Sequence, residues 1–261
     1  MTRTVIIDGD IVVYKAAEAV SNSYEVETEE DDKFVYRTVS WADKESGAIF
    51  IDNFISTIKQ KLRADNVCIC LSDSENFRKN INPDYKANRL KLKPILYKWA
   101  REYIRNLAGC KVFERPELEA DDVIGILATS SVIIKGDKVI WSMDKDFKTI
   151  PCKFYKELPN GKAEKFIITE QEADWWFMYQ TLKGDVIDGY TGCRNIGDTK
   201  ARKILGEAGK KTLSEMWELV KNTYIKNGMS EEDALKNARM ARILRNTDYD
   251  FKKKEVKLWS L

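Results

Sequence analysis

The chain has 261 residues and no histidine, with 44 Lys and Arg against 42 Asp and Glu for a net charge of +2. Without imidazole there can be no Ser-His-Asp or Cys-His hydrolase, His zinc site or His-dependent nuclease, so general-base and metal-ligand duties fall to carboxylates, lysine, tyrosine or thiolates. With 43% hydrophobic and 33% charged residues, and no apolar run near the roughly 18–20 residues that span a bilayer, the composition is that of a soluble globular protein of one large or two small domains.

Taken in order, TVIID (4–8) reads as a short buried strand and IVVYKAAEAV as a helix. Two aspartates interrupt this first apolar stretch, so it is not a signal peptide. Residues 17–32 hold seven acids and no base, between SYEVE and KFVYRTV, and read as the exposed tip of a β-hairpin. Residues 47–64 have helical spacing, and NVCICLSD (66–73) is a buried strand. LYKWAREYIRNLAG (96–109) is an amphipathic helix ending at Gly109. KVFE (111–114), LEADDVIGILATSSV (118–132) and DKVIWSMD (137–144) read as strand, helix and strand. Such alternation predicts an α/β fold, a mostly parallel sheet flanked by helices. Near 165–170 the β-branched runs stop, which divides the chain into an α/β domain, 1–168, and a helical C-terminal subdomain, 169–261. The five cysteines are scattered and odd in number, as expected of reduced thiols in a cytoplasmic protein. Cys68 and Cys70 share one face of a strand and belong to the core.

Charge is balanced globally but segregated locally. Residues 78–105 carry nine bases against Asp84 and Glu102, and residues 236–257 carry eight bases against three acids. One such run is ordinarily a solvated face; two in one chain point toward a polyanion.

Three predicted strands end in aspartate: Asp8, Asp73 and Asp144. A single Asp after a strand is common turn chemistry, but in open α/β sheets ligands bind at the carboxyl ends of the strands. Asp10 and Asp146 follow two of these positions by two residues, and the cluster Glu119, Asp121, Asp122 stands at the start of a predicted helix. So many carboxylates at one edge would repel unless cations compensate. Oxygen-only ligation selects Mg²⁺ or Mn²⁺, and two such ions roughly 3.5–4 Å apart form the usual clamp for phosphodiester cleavage. No P-loop, G-x-G-x-x-G or EF-hand is present: Gly192 to Gly197 has P-loop glycine spacing, but Asp198 stands where Lys is needed.

These elements, in this order, resemble the flap-endonuclease and 5′-exonuclease superfamily, whose nuclease domain is PIN-like. IIDGD (6–10) is similar to its opening motif, and LSDSENFRKNINPDYKANR (71–89) to its metal aspartate and basic arch, here about 74–95. LEADD (118–122) and SMDKDF (142–147) are similar to the next two acidic motifs. GDVIDGYTGCRNIGDTKARKIL (184–205) is similar to the closing G-D-x-x-D motif and its helix–three-turn–helix DNA clamp. The C-terminal segment looks most like the phage members.

The resemblance implies a metal-dependent 5′→3′ exonuclease on duplex DNA that releases 5′-nucleotides, removes RNA primers in RNase H fashion, and serves phage replication, recombination and host DNA breakdown. It implies one metal on Asp8, Asp73, Glu119, Asp121 and Asp122, and a second on Asp144, Asp146, Asp185 and Asp188. Asp10 stands where many relatives carry Asn and is left out of the ligand set. Lys86 and Arg78 match the basic pair at the scissile phosphate, where they would neutralise charge in the transition state. Tyr85 is the stacking candidate. Arg89, Gly192, Gly197, Lys200, Arg202 and Lys203 would hold the DNA backbone. Trp175, Trp176, Phe177 and Tyr179 are assigned to the core. In the family the clamp hairpin often binds K⁺ through carbonyls, but Asp188–Gly192 and Asn195–Gly197 depart from its pattern. Expected partners are double-stranded DNA and RNA–DNA hybrid, with phage replication proteins as further candidates, no membrane, and a monomer as default. The alternatives are a structure-specific flap endonuclease, a DNA clamp without catalysis, and a small PIN-type ribonuclease, which would lack the clamp.

Overall fold

A computed structural model of the chain describes residues 2–30, 33–88 and 92–261. Strand β1 (Arg3–Asp8) passes directly into α1 (Gly9–Ala19). Strands β2 (Ser21–Glu30) and β3 (Lys33–Ala42) pair antiparallel as a separate hairpin; of the acidic run 17–32 expected at a hairpin tip, Glu18 lies in α1 and Glu25, Glu27, Glu29 and Glu30 lie within β2, while 31–32 lie outside the described residues. Next come α2 (Lys44–Lys61), β4 (Asn66–Leu71), the single turn α3 (Arg78–Ile81) and α4 (Tyr97–Arg105). They are followed by β5 (Lys111–Glu114), α5 (Ala120–Thr129) and β6 (Asp137–Ser142). A 3₁₀ turn (Lys145–Thr149) leads into β7 (Cys152–Glu157) and β8 (Ala163–Ile168). The chain then becomes helical: α6 (Glu170–Lys183), α7 (Asp198–Leu205), α8 (Leu213–Lys226) and α9 (Glu231–Ala241). A short ladder, β9 (Tyr249–Asp250) with β10 (Glu255–Val256), lies near the C-terminal end.

The central sheet has the order β5-β4-β1-β6-β7-β8, parallel except for β8. From β1 the chain steps to one side through β4 and β5, then returns to the other side of β1 as β6. The strand order therefore reverses between β1 and β6, where a parallel sheet opens a crevice at its carboxyl edge. Side-chain alternation sends Val5, Ile7, Ile69 and Trp141 into one core with α1, α2 and α4. Ile6, Cys68, Cys70 and Ile140 face the other way, against α5. Asp8 shares parity with Ile6 and points to the α5 side. Burial raises the thiol pKa of Cys68 to about 11 and of Cys70 well above the usual value, as befits inert core residues.

A third apolar cluster joins α6, α7, α8 and α9 with Trp259, whose ring meets Phe177 and Trp217 edge-on at 5.1 and 4.9 Å. Thr169, Thr212 and Ser230 each form a capping box, with Glu172, Glu215 and Asp233, which starts α6, α8 and α9. Trp175, Phe177 and Tyr179 are buried in this cluster, and Trp176 packs against it partly buried. Among the described residues, no helix is long and apolar enough to cross a membrane.

Two elements differ from expectation. Helix α4 stops at Arg105, four residues before Gly109, where the Asn106 N–H is shared between the Glu102 and Tyr103 carbonyls and Leu107 bonds three residues back to Ile104, a tightening that ends α-helical pairing. Gly109 instead turns the chain toward β5 with φ +79°. The β7–β8 hairpin follows no clear apolar run: β8 is largely exposed and carries Glu164 and Lys165 amid its apolar residues.

Candidate active site

The crevice between β1 and β6 is a cavity of about 430 Å³. The end of β1 brings Asp8 to it and the first turn of α1 Asp10; Ser72 follows β4, Asp144 caps the 3₁₀ turn that carries Asp146, and the start of α5 brings Glu119 and Asp121. Tyr85, Lys86, Asp188 and Tyr190 close it from the opposite side. Gly9 accounts for the glycine of the DGD triplet: a Cβ there would lie 2.6 Å from the Cys70 carbonyl oxygen and 2.7 Å from Ile69, so only glycine lets α1 start this close to β4.

The cavity holds more negative charge than the protein compensates. Burial, followed by the charge of Asp10, lifts the Asp8 pKa to about 7 against the hydrogen bond donated by Ser142 Oγ at 3.0 Å. Burial and then Asp144 lift Asp146 to about 7. Asp121 is pushed well above the carboxylate range by burial, Asp8 and Asp144. Asp10 is raised by burial although Ser72 and Arg101 oppose the shift. Glu119 behaves differently: burial disfavours its charge, but Lys86 and Arg78 outweigh burial and hold it at about 2. One oxygen of Asp146, Oδ1, is buried without a hydrogen-bond partner among the described residues. As placed, no three acidic side chains among the described residues stand close enough together to grip an ion. They surround the cavity instead. Oxygen donors short of positive charge, one of them unsatisfied, fit a hard divalent cation. Asp8, Asp121, Asp144 and Asp146, with Glu119 and Asp188 at the rim, could hold it.

Several expected site residues lie elsewhere or are already engaged. Arg78 touches the cavity wall but is only 3% exposed. Its Nη1 and Nη2 donate to both oxygens of Asp122 at 2.7 and 2.8 Å, its Nε to the Met240 carbonyl, Nη2 also to the Arg242 carbonyl, and Nη1 weakly to Glu119. All five guanidinium donors are used, so Arg78 is a clamp joining α3, α5 and the end of α9 rather than a free phosphate contact. Asp122 is thereby saturated, accepting also from the Leu244 N–H, and is not an open metal ligand. Asp73 is absent from the lining; its carboxylate accepts from the amides of Ser74 and Glu117, which hold it below the usual range. Asp185 borders a neighbouring cavity and caps its own turn through Ile187 N–H. Tyr85 is buried and donates its hydroxyl to Glu119 at 2.7 Å, which leaves it no open stacking face. Arg89 lies outside the described residues.

Lys86 is placed differently from Arg78. Its Nζ pairs with Glu119 and lies 3.8 Å from Asp188, and it adopts a left-handed φ of 56°. Its backbone N–H donates to the Asp188 carbonyl, and Asn82 Nδ2 donates to the Gly189 carbonyl at 2.9 Å. The start of the basic segment is thus stitched to the 185–190 turn, which brings Asp188 to the cavity. Gly192, with φ +69°, crosses so closely over 182–184 that a Cβ would lie 2.3 Å from the Gly184 nitrogen. Gly197 is the N-cap residue of α7. Lys200, Arg202 and Lys203 are exposed on that helix; Lys200 Nζ donates to the Asn195 carbonyl, and Arg202 pairs with Asp198.

The family model "5′-3′ exonuclease, N-terminal resolvase-like domain" matches residues 3–172. The chain belongs to this family. It is 32% identical to the exonuclease of Escherichia phage T7, with 97% of this chain and 92% of that protein aligned. It is 31% identical to the exodeoxyribonuclease of Enterobacteria phage T3, over 98% and 92%. In fold it matches a bacteriophage T5 flap endonuclease, solved in a pseudo-enzyme-product complex with DNA and metal ions, with a TM-score of 0.61 at 14% identity over 94% of this chain and 90% of that one. As a member of the 5′-3′ exonuclease family the chain is a nuclease.

Asp10, named at the sheet edge but left out of the expected ligand set, does line the cavity of this exonuclease, its carboxylate 3.0 Å from Arg101 Nη1, a partner that sequence reasoning did not foresee. Arg101 also donates to the Ser72 carbonyl and to Glu114, bridging β4, β5 and α1. The signal was available, since Arg101 is the basic residue on the inward stripe of a helix with Ala100 and Ile104 buried beside it.

Proposed function

We propose that the chain is a divalent-metal-dependent 5′→3′ exonuclease that hydrolyses duplex DNA and the RNA strand of RNA–DNA hybrids to 5′-nucleotides, with phage DNA replication, recombination and host DNA degradation as its setting. The observation that carries this is the group of under-compensated carboxylates Asp8, Asp121, Asp144 and Asp146 at the carboxyl edge of the sheet. Bound divalent cations, with two Mg²⁺ as the preferred occupancy, supply Lewis acidity toward the phosphoryl oxygens and a more acidic water. The protein's own part is positional and electrostatic. Asp8 is held by Ser142, and Glu119 by Tyr85 and Lys86, so both keep fixed orientations. Lys86, paired with Glu119 at the rim, is the point charge that faces the phosphoryl oxygens. Water attacks phosphorus, the bond to the 3′ oxygen breaks, and a 5′-phosphate and a 3′-hydroxyl remain.

Residues 169–261, including the hairpin and α7, serve in this proposal as the DNA clamp. The turn amides near Gly197, with Lys200, Arg202 and Lys203, contact backbone phosphates without reading bases; the buried Gly192 amide takes no part, since it donates to Asn237 Oδ1 at 2.9 Å. K⁺ at this hairpin is not proposed, because Lys200 Nζ already occupies the Asn195 carbonyl. The test is cleavage of linear duplex DNA labelled separately at its 5′ and 3′ ends, with Mg²⁺ or EDTA. Early release of 5′-labelled mononucleotide only with Mg²⁺ supports the proposal. Early release of short labelled oligonucleotides favours a flap endonuclease, and binding without cleavage in any divalent metal overturns the catalytic assignment.

A further inference from the structure

Beyond Asp146 lies a second cavity, about 300 Å³, between the 3₁₀ turn Lys145–Thr149, β7, α6 and α7. It shares Asp146 and Gln180 with the acidic cavity, so the two are neighbours across those side chains. Its character is reversed. Lys145, Lys148, Lys156, Lys183 and Arg202 line it, of which Lys156 pairs with Glu164 at 3.8 Å and Arg202 with Asp198 at 3.1 Å. Asp146 and Asp185 stand on the side of the acidic edge, and Asp198 is already engaged by Arg202 and the Tyr179 hydroxyl.

Lys148 is the informative member. Among the described residues it has no carboxylate at ion-pair distance; its Nζ lies instead over two aromatic rings, 4.4 Å from the centre of Phe166 and 4.9 Å from that of Trp176. Trp176 receives the Arg202 guanidinium as well, at 5.4 Å. Ring faces fix the direction of an ammonium group but leave most of its charge uncancelled. Several cations converging on one concavity repel one another unless an anion joins them. The anion delivered next to Asp146 during strand cleavage is a nucleotide phosphate.

We propose that this basic cavity is a nucleotide-phosphate subsite, with Lys148 and Lys183 as its contacts and Trp176 as its wall, holding the strand phosphate next to the scissile one. The inference rests on the DNA-cleaving function proposed above. In the test, affinity for a duplex with a short single-stranded 5′ end is measured by fluorescence anisotropy in EDTA across a salt series. Wild type is compared with Lys148→Gln, Lys183→Gln and, as a control on the opposite edge of the sheet, Lys111→Gln. The expected result is weaker binding for the two subsite variants and a log–log salt slope lower by about 1, as for one lost phosphate contact, with no comparable change in the control. In wild type, a neutral methylphosphonate at the linkage beside the scissile one weakens binding; in Lys148→Gln that penalty disappears. A second arm titrates deoxythymidine 5′-monophosphate. If only this affinity falls in the subsite variants, the phosphate held is that of the released product. This arm needs no cleavage, so it still tests the subsite should the chain fail to cut DNA. Unchanged affinity for both ligands in both variants overturns the proposal.

Discussion

The first turn of α5 sends consecutive carboxylates into two unlike regions. Asp122 enters a closed clamp, where Arg78 meets both its oxygens and a backbone amide completes the set. Asp121 faces the cavity, where burial first and then its neighbours Asp8 and Asp144 raise its pKa well above the usual range. The two residues share type and helix, although Asp122 is fully buried and Asp121 only partly. They differ in whether the protein itself supplies the countercharge. Where it does, the pair holds segments together; where it does not, the region is built for a ligand that brings positive charge.

The largest expected effect breaks the cavity side. Asp144→Ala should lower cleavage of end-labelled duplex by on the order of 100- to 1000-fold, the scale for losing one preorganised electrostatic group, while duplex binding persists. Full activity in this variant would remove the cavity from the chemistry. On the clamp side, Asp122→Ala leaves the buried Arg78 guanidinium with only the long contact to Glu119 at 3.4 Å as countercharge. It should cost about 3–5 kcal/mol of stability, read as a fall in urea midpoint. Arg78→Met combined with Asp122→Leu should recover much of that loss, because no lone charge remains.

How much of this contrast was legible in the sequence follows from what each region depends on. TVIID, CICLSD and VIWSMD read correctly as strands because both faces of a central parallel strand are covered and their residues are apolar throughout. The aspartates closing β1 and following β6 reach the cavity through that geometry alone. The third, Asp73, does not, because the chain bends after Ser72 and its carboxylate caps the loop at Glu117. The partnership of Arg78 with Asp122 joins residues 44 positions apart and depends on where α9 returns, which no local spacing encodes. Motif resemblance therefore selected the right neighbourhood but could not separate carboxylates that have partners from those that lack them. The β7–β8 hairpin escaped notice because its strands, rich in Lys and Glu, lie at the sheet edge.

A third prediction sharpens the comparison through pH. A carboxyl whose folded pKa lies above its unfolded value lowers stability. That cost is absent below the unfolded value near 4, grows as pH rises, and is complete above the folded value. For Asp8, raised from 3.8 to about 7, it amounts to about 4 kcal/mol at most; Asp146 acts in the same direction. Glu119, lowered to about 2, adds stability that is lost only as pH falls below about 4.5. In EDTA the thermal midpoint should therefore be higher at pH 5 than at pH 8, and millimolar Mg²⁺ should restore the pH 8 value. A midpoint in EDTA that rises from pH 5 to 8 would contradict the charge assignment.

The smallest effect should come from Asp73→Ala, whose carboxylate only caps a loop. A stability loss of about 1–2 kcal/mol and cleavage within a few-fold of wild type are expected. A loss on the scale of Asp144→Ala would return Asp73 to the metal set.

The most direct test of the contrast is calorimetric titration of Mn²⁺ at pH 8 into wild type, Asp121→Asn and Asp122→Asn, with folding of each checked by circular dichroism. The expected result is clear binding by wild type, a large loss of affinity in Asp121→Asn, and near wild-type affinity in Asp122→Asn provided it remains folded. Equal affinity in wild type and Asp121→Asn, or a loss confined to a folded Asp122→Asn, would contradict the account.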